Sequence, residues 1–127
     1  MGITQEGIDG EQKLFKLLHD QGFNFFQSDA IGEKDNKFYV FEAKHQARFK
    51  PPPFEGHGLP RWQVDARLNF EKRTGIGTIF VVFDKETNEV FVVNLRVLNE
   101  KEFFDTHGDK PRRIYPIKNF KNIPPAG

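Results

Sequence analysis

Asp29, Glu42 and Lys44 are the residues whose types and spacing suggest chemistry. Asp29 precedes Glu42 by 13 residues across a turn-forming segment, and Lys44 follows Glu42 by two. Residues two apart on a strand share a face, so Glu42 and Lys44 project together while Ala43 points the other way, into the core. With Asp29 on a neighbouring strand, two carboxylates would converge at one edge of a sheet. Such a pair, joined by the backbone carbonyl of Ala43, makes a hard-oxygen site of the kind that takes Mg²⁺. Lys44 beside it would stabilise the charge that builds on a phosphate under attack. The triplet Glu-x-Lys is common, and a charged strand end is ordinary surface. The context argues for chemistry, because this pair ends Phe38–Lys44, a run apolar on both faces until Glu42. Burying such a pair without a partner would cost several kcal/mol.

Two further polar residues fall where apolar ones are expected. Leu14, Phe15 and Leu18 follow Glu11 at three, four and seven residues, which places Glu11 on the core side of a helix. A carboxylate in an apolar stripe needs a partner, although an acid in a first helical turn also suits the helix dipole. Gln63 shares a predicted helical face with Leu59, Trp62, Ala66 and Phe70. It reads either as a satisfied core amide or as part of the site.

The elements that must position these residues follow from pattern. Ile8 to Gln21 reads as a helix, with Asp9 as N-cap and Gly22 as its stop. Phe23–Phe26 and Asp29–Glu33 are short strand candidates, Lys34-Asp35-Asn36-Lys37 is a turn, and Phe38–Lys44 is a central strand. Residues 45–58 hold Pro51–Pro53, Gly56 and Gly58 and read as a flexible basic arm. Pro60 suits the first turn of a helix running to about Arg73, before Gly75 and Gly77. Thr78–Phe83 and Val90–Leu95 form a hairpin across Asp84–Glu89, Val97–Thr106 a short helix, and residues 108–127 a basic tail. The order predicts one α/β domain over residues 1–127, a single mixed sheet of about five strands flanked by helices.

Composition removes several alternatives. The 127 residues contain no cysteine, which excludes disulfides, thiolate metal sites and cysteine nucleophiles. No run approaches the ~18 apolar residues of a membrane span, so a soluble, unprocessed chain is expected. Net charge is only +1, but its distribution is uneven. Residues 1–43 carry eight acids against four lysines, residues 44–73 seven bases against three acids, and residues 110–121 five bases and no acid. An acidic half meeting basic patches suits a metal-dependent phosphodiesterase, although mixed surface charge alone would look similar.

Glu11 on the first helix, Asp29, and then Glu42-Ala43-Lys44 resemble the PD-(D/E)XK nuclease superfamily, with Ser28 in place of the proline. Phe41-Glu42-Ala43-Lys44, the basic Pro/Phe segment after it and Gln63 entering a helix resemble RecU-type Holliday junction resolvases. The opening Gly7-Ile8-Asp9-Gly10-Glu11 and Gly22-Phe23 resemble the archaeal-type resolvases, and the likeness spans roughly residues 7–95. It implies a restriction-endonuclease-like core and a homodimeric, Mg²⁺-dependent endodeoxyribonuclease, with Mn²⁺ as substitute, cutting four-way junctions in the cytoplasm of a bacterial, archaeal or phage-infected cell. Asp29 and Glu42 would then hold the metal, Glu11 would assist, Lys44 would stabilise the transition state and Gln63 would orient water or the lysine. DNA contacts are expected from Arg48, Lys50, Arg61, Arg67, Arg112 and Arg113. Alternatives are another nuclease of the superfamily acting in repair, restriction or phage DNA processing on duplex or flapped DNA, or a catalytically idle DNA-binding module.

Overall fold

A computed structural model describes residues 24–25, 31–52 and 54–123. Glu11 and Asp29, with the expected first helix, lie outside the described residues.

The hairpin before Glu42 is built by its turn. Strand β2 (Ile31–Lys34) reverses into β3 (Lys37–Gln46) through Asp35 and Asn36, which adopt φ of 54° and 66°. Two successive positive φ values define the tight turn whose twist matches a hairpin, and Asp and Asn are the side-chain-bearing residues that tolerate it best. The predicted turn is therefore observed. The two-residue strand β1 (Asn24–Phe25) pairs with β2 on its outer side.

β3 then pairs in parallel with β5 (Gly77–Asp84), which requires a crossover. The chain supplies it through β4 (Gly56–Pro60) and helix α1 (Arg61–Thr74). Pro60 stands at the N-cap with φ −53°, and Gly75 ends the helix in the left-handed conformation at φ 77°. β5 turns into the antiparallel β6 (Val90–Asn94), and β9 (Lys121–Ile123) closes the far edge. The main sheet runs β1-β2-β3-β5-β6-β9, a mixed sheet flanked by helices as expected.

The side chains of β5 serve both faces. Phe80 and Val82 join Leu59, Val64, Phe91, Leu95, Leu98, Tyr115 and Phe120 on the face covered by α1. Val81 and Phe83 join Phe41 on the opposite face, where Ala43 also packs. This two-sided burial explains why the strand reads as an unbroken apolar run.

The structure corrects three sequence expectations. First, the arm at 45–58 is shorter than expected, because residues 45–46 continue β3 and residues 56–58 belong to β4. Between them Phe49 and Gly56 exchange backbone hydrogen bonds of 2.9 Å, closing the loop at its base. Second, the basic tail contains β8 (Arg112–Pro116), which lies between β4 and β7 (Phe104–Asp105) in a second sheet and buries Ile114 and Tyr115. A Cβ at Gly56 would stand 2.0 Å from the carbonyl oxygen of Tyr115, and one at Gly58 2.2 Å from that of Arg113. Those glycines mark close strand packing rather than a mobile loop. Third, the expected helix at 97–106 shrinks to α2 (Leu95–Asn99), capped by the Asn94 side chain accepting from Val97 N–H at 3.2 Å. Its continuation is prevented because Phe104–Asp105 become β7, paired to β8.

Candidate functional site

Glu42 lies near the middle of β3, beside Phe80 of β5, on the face turned toward α1. Only 8% of its surface is exposed. A carboxylate at that depth must be met by donors, and α1 provides them. Gln63 Nε2 donates to Glu42 Oε2 at 2.8 Å, and Arg67 Nε donates to Oε1. Gln63 and Arg67 are four residues apart, one turn of the helix, so both reach the same strand. Gln63, read from the sequence either as a core amide or as part of the site, therefore meets Glu42 directly. Its other amide atom, Oε1, is buried without a hydrogen-bond partner among the described residues.

Lys44 follows on the same face, half-buried and making no hydrogen bond or ion pair among the described residues. Gln46 comes next in the same row, where it serves a different cluster. The order along this face of β3 is thus Val40, Glu42, Lys44, Gln46. Asp29 lies outside the described residues. It precedes Ile31 by two residues, and Ile31 pairs with Val40, itself two residues before Glu42. Among the described residues no group of three or more His, Cys, Asp or Glu is placed to hold a metal. Of the proposed ligands, Glu42 is described here, together with the peptide of Ala43, which faces Val81 in the β3–β5 ladder.

A second polar cluster joins the two sheets, and sequence reading did not anticipate it. His57 on β4 is fully buried, with Nε2 2.8 Å from Asp84 Oδ2 and Nδ1 3.0 Å from Gln46 Oε1. The Gln46 amide is oriented by Gly58, whose N–H donates to Oε1 at 3.1 Å and whose carbonyl accepts from Nε2 at 3.3 Å. Asp84 Oδ2 also accepts from Arg48 Nε at 2.8 Å, while Oδ1 accepts the backbone N–H groups of Glu86 and Thr87 at 2.8 and 3.0 Å. Burial opposes the charge, but these donors more than offset it and hold the Asp84 carboxyl far below the usual carboxylate range. Burial pushes the His57 imidazole below its ordinary value, with Asp84 pulling the other way. The sequence signal was present in the Gly56-His57-Gly58 triplet, a histidine between two glycines demanding close packing.

The expected DNA-contacting bases are mostly engaged within the protein. Arg48 reaches Asp84, Glu55 and Glu89, and Lys50 pairs with Glu86 at 3.1 Å. Arg61 and Arg113 both grip Asp105. Arg113 also stacks 3.8 Å from the centre of the Phe103 ring, and Arg112 lies 5.2 Å from that of Phe49. Arg67 is spent on Glu42. Trp62, expected on the apolar side of its helix, is instead 71% exposed. The rotation of α1 that turns Val64 into the core and Gln63 toward β3 leaves Trp62 facing out.

The fold is an α/β architecture with a mixed central sheet that is also found in a solved DNA-junction enzyme. That structure is Hjc, a Holliday junction resolvase from the archaeal hyperthermophile Archaeoglobus fulgidus, with TM-score 0.61, 12% sequence identity, and coverage of 94% of this chain and 93% of the other. The resemblance to such resolvases seen in the sequence therefore holds for the fold. No protein-family model and no curated protein matches the sequence. No helix among the described residues is long and apolar enough to cross a membrane.

Proposed function

We propose that this protein is a divalent-metal-dependent DNA endonuclease that acts on four-way junctions. The observation that carries the reading is the Glu42–Gln63 pair, with Lys44 on the same strand face, set in a fold shared with a junction resolvase. The donor set suits Mg²⁺: a carboxylate, and an amide oxygen of Gln63 that is buried and without a partner among the described residues, are both hard oxygens. Glu42 with Asp29 and the Ala43 carbonyl would hold the ion, with Glu11 assisting. When bound, the ion would supply Lewis acidity to the phosphate and lower the pKa of a coordinated water.

The chain's own side chains have separable tasks. Gln63 orients the Glu42 carboxylate, and Lys44 places a positive charge beside the pentacovalent phosphate. A homodimer would present two such sites to a two-fold junction. Exposed cations and backbone donors would recognise shape through phosphates rather than base sequence.

The test is cleavage in Mg²⁺ of a four-way junction, a flap and a linear duplex of matched sequence, with sizing of the protein in solution. Paired nicks in opposing strands of the junction, made by a dimer, are expected. Equal cutting of linear duplex by a monomer would leave a general nuclease of the same fold. Binding without cleavage of any substrate would leave a DNA-binding module.

A further inference from the structure

Arg67 is placed where a metal nuclease would not be expected to spend a cation. Its Nε–H donates to Glu42 Oε1, the other oxygen being taken by Gln63, so both carboxylate oxygens are already capped. The Arg67 side chain is 36% exposed against 10% for that of Glu42. The contact therefore lies at the rim of the site, and the guanidinium has solvent to move into. A divalent ion arriving at Glu42 would meet a positive charge within a few ångströms. Like charges at ~4 Å repel strongly at the effective dielectric of a partly buried site. Arg67 and the ion therefore compete for the carboxylate through their like charge.

Resting on the metal-nuclease reading above, we propose that Arg67 is a built-in stand-in for the metal. In the free protein it neutralises Glu42 and keeps the carboxylate oriented. Metal loading would displace it toward solvent, where it joins Lys44 as a second cation for the substrate phosphate. Gln63 holds the carboxylate while the exchange occurs, because its neutral amide does not repel the incoming ion.

Direct Mn²⁺ titration by electron paramagnetic resonance separates the outcomes, using the full chain and three variants. Arg67→Gln should bind Mn²⁺ roughly tenfold more tightly than wild type, since a competing charge is gone. Arg67→Lys keeps the charge and should stay near wild type. In Ca²⁺ without cleavage, Arg67→Gln should bind junction DNA with a log K against log salt slope smaller by about one contact. Equal or weaker Mn²⁺ binding by Arg67→Gln, with wild type binding normally and Glu42→Gln not binding, overturns the stand-in while leaving the nuclease reading intact. Wild-type protein that binds no Mn²⁺ removes both. If Arg67→Gln fails to fold, the wild-type Arg67 Nε–H resonance in a nitrogen-labelled sample decides. It should be slowly exchanging in the free protein and lost at saturating Mg²⁺, and its persistence overturns the proposal.

Discussion

Glu42 and Asp84 are two buried acids on adjacent parallel strands, each held by an arginine, yet they are held in different ways. Asp84 accepts from Arg48, His57 and two backbone N–H groups, and it bridges β5 to the second sheet. Its side chain is wholly inaccessible. Glu42 is held by two side chains from a single helix, beside a buried amide oxygen without a described partner and a lysine that bonds to no described residue. An acid surrounded by fixed donors on every side stabilises a fold. An acid met by exchangeable donors on one side can accept a ligand. Burial alone does not distinguish them, since both are almost fully covered. The number and rigidity of the donors do.

The comparison breaks most visibly if the two acids are neutralised in parallel. Glu42→Gln should remove cleavage to below detection while the protein keeps its melting temperature within a few degrees and still binds DNA. Asp29→Asn should behave likewise. Wild-type turnover by Glu42→Gln in Mg²⁺ would dissolve the site assignment. Asp84→Asn should do the reverse. It leaves Arg48 and His57 without their shared anion, a loss of ~3–5 kcal/mol for a broken buried pair, so thermal unfolding should move down by roughly 10 °C or more. The folded fraction should retain activity. A variant of unchanged stability and lost activity would make Asp84 part of the site.

A smaller effect is expected at Lys44. Lys44→Ala should slow single-turnover cleavage by about 10²–10³, the size of one lost transition-state contact, with folding intact. A change under threefold would return Lys44 to ordinary surface charge.

The smallest effect is on pH dependence, and it sharpens the structural half of the comparison. His57 is pushed below its ordinary pKa in the fold, so on acidification the unfolded chain takes up that proton first. Stability should be complete above about pH 6.5 and erode as the pH falls through the window below it. Asp84, also depressed, adds a second loss once the pH drops below about 4. Both contributions have the same sign. Melting temperatures taken across this range should fall with acid, and His57→Gln should flatten the upper part of the curve. A wild-type melting temperature that rises on going from pH 7 to pH 5.5 would mean that the Asp84 contact outweighs burial and that His57 is charged in the fold.

Much of the fold was legible because its signals are local. The Asp35-Asn36 turn, the two-sided apolar runs of β3 and β5, and Gly75 as a helix stop each express a preference of a few neighbouring residues. The segments that misled were those whose composition mimics something simpler. Arg112-Arg113-Ile114-Tyr115 reads as basic tail until β4 supplies the glycines that let it pack, and Phe104–Asp105 reads as helix until β8 lies beside it.

For the candidate site the division is similar. Sequence alone determined that Glu42 and Lys44 share a strand face, because side-chain alternation along a strand has a period of two and needs no partner to define it. It also singled out Gln63 as a polar residue out of place. Only the tertiary structure decided that Gln63 and Arg67 meet Glu42 across 21 and 25 residues of chain. The same holds for His57, which meets Asp84 across 27, and for Trp62, which faces outward. Those outcomes depend on how far α1 is rotated about its axis and on how two sheets dock. Both are set by the summed packing of distant residues, which no local period encodes.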